Sequence, residues 1–165
     1  MVETLKTAKK FRPKGSWGYY HFPYCFTNGT ERQCAKAVRD ENDSLMEIHE
    51  LSDNLYPSVY LKSCFKEEEH VRYIETSMVE AVRIKDKCAS DKKIWTYFWY
   101  KFSDTQTFIP REDLVKSLTA IVKYDIHGII LWGASADVDS ASGCEEVYEY
   151  IDHTFGPILR ALFKF

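Results

Sequence analysis

The chain has 165 residues, 45% of them hydrophobic and 28% charged, which suits one globular domain. Its net charge of −3 gives no global attraction to nucleic acid. No apolar run is long enough to span a bilayer, and the opening residues MVETLKTAKKFRPKG lack a signal-peptide core, so no membrane partner is expected.

Residues 1–11 read as the last turns of an amphipathic helix, with Leu5 and Phe11 among lysines. A chain that opens inside a helix is expected to be a piece of a longer one. Residues 17–23 (WGYYHFP) are the first strand candidate, followed by a loop holding Cys25, Asn28 and Cys34. Residues 34–52 then read as one helix with Leu45, Ile48 and Leu51 on a common side. Residues 58–62 (SVYLK), introduced by Pro57, form the second strand candidate. The next helix places Glu67, Glu68 and Glu69 in its first turn and Arg83, Lys85 and Lys87 in its last, complementing the dipole at both ends. Its apolar stripe is Val71, Ile74, Met78, Ala81 and Val82.

Residues 94–102 (IWTYFWYKF) are the third strand candidate. Pro110 suits the first position of a helix that buries Leu114, Leu118, Ile121 and Val122. Residues 128–133 (GIILWG) are nearly all apolar, as expected of a parallel strand covered on both faces. Ser140 or Ser142 can cap a helix that carries Val147 and Ile151 and stops at Gly156-Pro157, and a short apolar helix over 158–165 ends the chain. Consecutive βα units of this kind predict an α/β fold with a parallel sheet, either doubly wound or part of a (β/α) barrel. Nothing like GxGxxG follows the first strand, which disfavours a nucleotide site. A complete barrel needs about 250 residues, so this chain would supply a second half, with no internal domain boundary over 1–165.

Catalytic chemistry is hard to find. The acids near strand ends are Glu67, Asp104, Asp137 and Asp139, and all read as dipole-complementing, loop or turn residues. The histidines (21, 49, 70, 127, 153) show no HExxH spacing, and Gly133-Ala134-Ser135 does not complete a GxSxG elbow, so no metal and no cofactor is expected. Cys64 follows a strand, but a structural or paired thiol is the better reading than a nucleophile. What remains at strand ends is aromatic: Tyr20, Tyr60, Tyr100 and Trp132. Such residues suit a sugar groove or a bulky core, and pattern alone leaves both open. Cysteines at 25, 34, 64, 88 and 144 accompany two N-glycosylation sequons, at Asn28 and Asn42, a combination that favours an oxidising, extracellular setting.

Colinear blocks then resemble the hyaluronidases of insect venom and vertebrate type. They are Arg12-Pro13, Trp17-Gly18-Tyr19-Tyr20, Phe22-Pro23 with Cys25, Glu41-Asn42-Asp43, Tyr56-Pro57-Ser58-Val59-Tyr60, Trp99-Tyr100-Lys101-Phe102 with Asp104, Gly128 through Ser135, Cys144, Glu149-Tyr150-Ile151 and Phe155-Gly156-Pro157. The resemblance implies a distorted (β/α) barrel and cleavage of β-1,4 N-acetylhexosaminide bonds in hyaluronan or a related glycosaminoglycan. The substrate's acetamido group would attack, and one glutamate of an Asp-x-Glu motif upstream of these blocks would act as acid and base. No position in this chain matches that motif, so no catalytic residue is expected here and the chain alone should be inactive; the alternative is an inactive glycan-binding relative. The resemblance assigns Tyr20, Tyr60 and Trp132 to the acetamido-sugar subsite. It pairs Cys25 with Cys34, leaves Cys144 for a cysteine upstream, and implies secretion with a signal peptide upstream. Cys64 and Cys88 have no counterpart, and the helix between them should keep them apart.

Overall fold

The computed structural model describes residues 1–88 and 91–163. Two strands, β1 (Trp95–Trp99) and β2 (Gly128–Trp132), pair in parallel from Trp95 opposite Gly128 to Trp99 opposite Trp132. Single parallel bridges add two more extended segments on the other side of β1. Leu55 lies opposite Ile94, Ser58 opposite Tyr97, and Tyr20 opposite Tyr56. The strand regions expected from the sequence therefore lie side by side, parallel and in chain order.

The first two are not continuous strands, contrary to expectation. Pro57 has no N–H to donate; it only accepts, from Tyr97 N at 2.8 Å. His21 sits at φ 74°, which turns the chain out of the extended geometry. The ladder nonetheless resumes, with Val59 N donating to Tyr97 O at 3.0 Å and Ser103 N to Leu61 O at 2.8 Å.

Helices follow the segments. α1 (Val2–Phe11) buries Leu5 but leaves Phe11 exposed. The helix expected over 34–52 is two, α2 (Lys36–Ser44) and α3 (Met46–Leu51). The Ser44 hydroxyl donates to the Glu41 carbonyl at 2.7 Å, and the Leu45 N–H is shared between Glu41 and Asn42 carbonyls at 3.2 Å each. Such local competition for carbonyls breaks the ladder at that turn. α4 (Glu67–Lys87) runs as predicted, with Glu69 accepting from the Lys66 N–H at 2.6 Å at its start. α5 (Arg111–Val122) begins one residue after Pro110.

After β2 and a 3-10 turn (Ser135–Val138), Ser140 caps α6 (Ala141–Tyr150) by accepting from Gly143 N at 3.1 Å. This helix does not stop at Gly156-Pro157. A π turn (Ile151–Phe155), in which the Gly156 N–H reaches Ile151 O, joins it to α7 (Gly156–Leu162). The widened turn accommodates a proline that cannot donate. Residues 164 and 165 of the predicted last helix lie outside the described residues.

The core lies between the parallel segments and α4 and α5. Ile74, Met78, Ala81 and Ile84 of α4 and Leu114, Leu118 and Ile121 of α5 are fully buried against Leu55, Val59, Leu61, Ile94 and Phe98. Each such large side chain contributes roughly 1.5–3 kcal/mol by leaving water. The expectation that 128–133 is covered on both faces fails at its far end, where Leu131 and Trp132 are more than a third exposed. Among the described residues β1 is the only strand beside β2, so one edge of β2 stays open.

Cys25 and Cys34 form a disulfide with their Cα atoms 5.6 Å apart. Cys64 and Cys88 are unpaired at opposite ends of α4, whose 21 residues span about 31 Å.

A buried polar clasp joins α2 to α4. Asn42 is wholly buried; its amide nitrogen donates to Tyr24 O at 2.9 Å and to Glu80 Oε1 at 2.7 Å. Arg83 binds Glu80 at 2.7 and 2.8 Å and Asp43 at 2.7 Å. Both amide hydrogens of Asn42 are therefore in use in this packing. Replacing Asn42 with Ala strips the buried Glu80 carboxylate of a donor and is expected to cost about 1–3 kcal/mol. Lys36→Ala, at an exposed ion pair, should change stability by less than about 0.5 kcal/mol. Urea melts of both variants check the contrast; equal small effects would show the clasp to be unimportant.

Candidate functional site

The C-terminal ends of the parallel segments carry a run of rings. Tyr20 comes from the first segment, Tyr60 from the second, Trp99 from β1 and Trp132 from β2. Tyr60 stacks on Trp132 at 5.4 Å between centroids, with planes 24° apart. Trp99 meets Trp132 edge-on at 4.8 Å and Tyr60 at 5.9 Å. Tyr20 lies 6.2 Å from Tyr60 and packs edge-on against Tyr97 at 4.8 Å. Tyr20 is 47% exposed and Trp132 38%, while Trp99 is buried, so the rings form a shelf with a solvent-facing surface and a dry floor.

The Tyr60 hydroxyl is buried and makes no well-formed hydrogen bond among the described residues, although the Tyr20 and Ser58 hydroxyls lie close enough to interact with it. Burial, with the Tyr20 phenol beside it, pushes its pKa well above the ordinary tyrosine value. The group therefore stays protonated, and its proton is only weakly engaged by those two hydroxyls. A poorly paired buried polar group costs up to roughly 1–3 kcal/mol, so a ligand acceptor at that point would gain more than an ordinary surface hydrogen bond gives.

Beneath the shelf sits Asp137, which its sequence context presents as a turn residue. It is buried, with 4% exposure, and gathers donors from both strands. Lys101 Nζ reaches Oδ1 at 2.7 Å; Oδ2 accepts from the Tyr100 hydroxyl at 2.8 Å, Ala134 N at 3.0 Å and Trp99 Nε1 at 3.4 Å. Burial alone would raise this carboxyl, but Lys101, Tyr100 and the Ala134 N–H outweigh it and hold its pKa below the usual range. Burial and the Asp137 charge push the Tyr100 phenol up in turn. Gly133 makes the approach possible, since a Cβ there would fall 2.3 Å from the Tyr100 hydroxyl.

Of the aromatic residues singled out in the sequence, Tyr20, Tyr60 and Trp132 come together, and Tyr100 does not join them. Its ring turns to Phe108 and Tyr150 while its hydroxyl serves Asp137. The remaining acids stand apart. Glu67 pairs with Lys116, Asp104 accepts from Ser63 N and Oγ at 2.9 Å each, and Asp139 is exposed. Cys64 and Cys144 are exposed, unpaired thiols. Among the described residues no group of three or more His, Cys, Asp or Glu could hold a metal ion. Sequence reasoning missed Trp99 and Lys101; the one available signal was a lysine following an almost wholly apolar strand, a position that asks for a buried counter-charge.

Asp137→Asn tests the network. Because the folded carboxyl is depressed, its contribution is present above its unfolded pKa of about 3.9 and is lost as pH falls through the folded value. At pH 7 the variant should lose about 3 kcal/mol, since it leaves the partly buried Lys101 without a counter-charge. The gap between the two proteins should narrow below about pH 4, measured by denaturant melts at each pH. A pH-independent gap would show that the charge of Asp137 is immaterial.

Comparison with known proteins identifies the family. Residues 1–163 match the family model described as hyaluronidase. The chain is 38% identical to the hyaluronidase of Vespa magnifica over 162 residues, covering 96% of this chain and 45% of that protein. It is 36% identical to the hyaluronidase of Apis mellifera over 167 residues, covering 98% and 44%. The crystal structure of bee venom hyaluronidase in complex with a hyaluronic acid tetramer superposes with a TM-score of 0.93 at 36% identity, over 98% of this chain and 52% of that one. The chain thus spans about half the length of the relatives it matches.

Proposed function

The chain belongs to the hyaluronidase family, and on that premise we propose that it forms the substrate-binding wall of a hyaluronan-cleaving glycosidase, built as the second half of a distorted (β/α) barrel. The observation that carries the reading is the shelf of rings itself, with Tyr20 and Trp132 facing solvent and the weakly engaged Tyr60 hydroxyl set among them. A pyranose ring offers an apolar face and an edge of polar groups, and this shelf offers the complement of both. Trp132 carries the sugar face. Tyr60 donates to the acetamido oxygen as that oxygen becomes the nucleophile, and Tyr20 shapes the rim.

The proton for the leaving group does not come from the described residues. Asp137 is the acid beneath the shelf, and it is ionised and engaged by its donors, so it positions rings instead of protonating a glycosidic oxygen. The chain by itself is therefore proposed to bind without cleaving. The same observation supports a second reading, a family member that holds glycans and never cleaves them, and turnover by an enzyme containing this chain separates the two. An extracellular setting is supported by the Cys25–Cys34 disulfide. The family resemblance supports a disulfide between Cys144, exposed near the start of α6, and a cysteine outside this chain. No described helix is long and apolar enough to cross a membrane.

In an active enzyme containing this chain, Tyr60→Phe should lower kcat roughly a hundredfold with little change in KM, because the phenol holds the acetamido oxygen in its attacking position. Trp132→Ala removes contact area and should raise KM and lower kcat together. Steady-state kinetics on hyaluronan oligosaccharides reads both. Wild-type kcat in Tyr60→Phe would defeat the assignment.

A further inference from the structure

The sequons differ in what the fold leaves available to them. Asn42 has neither space nor a free amide hydrogen: it is 0% exposed and bonded to Tyr24 O and Glu80. Asn28 is exposed in the loop closed by the Cys25–Cys34 disulfide. Its carbonyl oxygen accepts from Thr30 Oγ1 at 2.6 Å and Thr30 N at 3.0 Å, so the sequon's threonine addresses the asparagine side chain from the oxygen end. No hydrogen bond leaves the Asn28 amide nitrogen among the described residues, so the atom that would carry a glycan is unengaged.

The loop is also held in shape. Gly29 adopts φ +81°, and a Cβ there would fall 2.7 Å from the Glu69 carbonyl of α4. Thr76 Oγ1 donates to Glu31 O at 2.8 Å, tying the following residues to the same helix. Two residues before Asn28, Phe26 leaves 63% of its surface in water while leaning on Tyr24 and His21, with ring centroids 5.2 and 5.3 Å away. A phenyl ring exposed on a loop held in shape offers an apolar platform, and the face of a sugar linked two residues on, at Asn28, is its complement.

We propose that Asn28 is the N-glycan acceptor of this chain, that the first sugar of the glycan lies on Phe26, and that Asn42 carries none. The proposal rests on the extracellular reading in one respect only, that the native chain meets the glycosylation machinery. The test removes that dependence by placing the full chain behind a secretion leader in eukaryotic cells. The soluble secreted chain is treated with peptide-N-glycosidase in heavy-oxygen water, which converts each glycosylated Asn to labelled Asp, and is then peptide-mapped. Asn28 should be labelled and Asn42 should remain asparagine. An unlabelled Asn28, or a labelled Asn42 in folded protein, overturns the assignment. Melting temperatures before and after glycan removal test the platform: removal should lower Tm by several degrees in the wild type and by less than half as much in Phe26→Ala. Equal shifts in the two proteins would show that the sugar does not rest on Phe26. Comparing each protein with its own deglycosylated form cancels the packing that Phe26→Ala itself loses.

Discussion

An ionised carboxylate buried between two strand ends sets the geometry on which the site depends. Asp137 receives Trp99, Tyr100 and Lys101 from the end of β1 and the Ala134 N–H from just beyond β2. A buried charge is tolerable only when its neighbours replace the lost water, and here they do so from both sides of the strand pair. The consequence is mechanical: the loop after β2 cannot shift along β1 without exposing or stranding a charge. Trp99 forms the floor of the aromatic shelf and touches Trp132 and Tyr60, so the same carboxylate positions the rings above it.

The fold places these groups at one end because the extended segments are parallel and neighbours in chain order. Parallel neighbours bring all their C-terminal ends to the same side, where each can contribute one ring. The core beneath, packed by α4 and α5, holds the segments in register and keeps the shelf's floor dry. The partly exposed Tyr20 and Trp132 leave the shelf accessible. These features agree with membership of a family of glycan-cleaving enzymes and with the proposed division of labour, in which this chain orients the sugar and the acid is supplied from elsewhere.

Local patterns were legible in the sequence and long-range ones were not. The stripes of α4 and α5 follow helical spacing, and the structure buries Ile74, Met78, Ala81, Leu114, Leu118 and Ile121 as that spacing requires. The cap at Ser140 and the strand at Gly128–Trp132 also rest on local signals. The strand regions at 17–23 and 58–62 were placed correctly but read as more regular than they are, because Pro57 and the positive φ of His21 interrupt pairing that the apolar pattern suggested. The long-range partners of Asp137 and Asn42 were not legible, for one reason. In a Ser-Ala-Asp-Val-Asp stretch an aspartate looks like a turn residue, and in an Asn-x-Ser triplet an asparagine looks like a glycan acceptor. Their partners Lys101 and Glu80 stand 36 and 38 residues away, so only the tertiary structure shows that each is buried and bonded. Tyr20, Tyr60 and Trp132 were legible as strand-end aromatics, and the family resemblance separated them from Tyr100; what the structure adds is their contact with one another and the floor formed by Trp99.

The central claim, that the shelf receives the N-acetyl sugar, is most directly tested by saturation-transfer NMR of the chain with a hyaluronan tetrasaccharide. Saturation should pass most strongly to the acetamido methyl and the protons of one sugar face, and it should vanish in Trp132→Ala while the fold is retained. Equal transfer in the variant, or none in the folded wild type, would contradict the account.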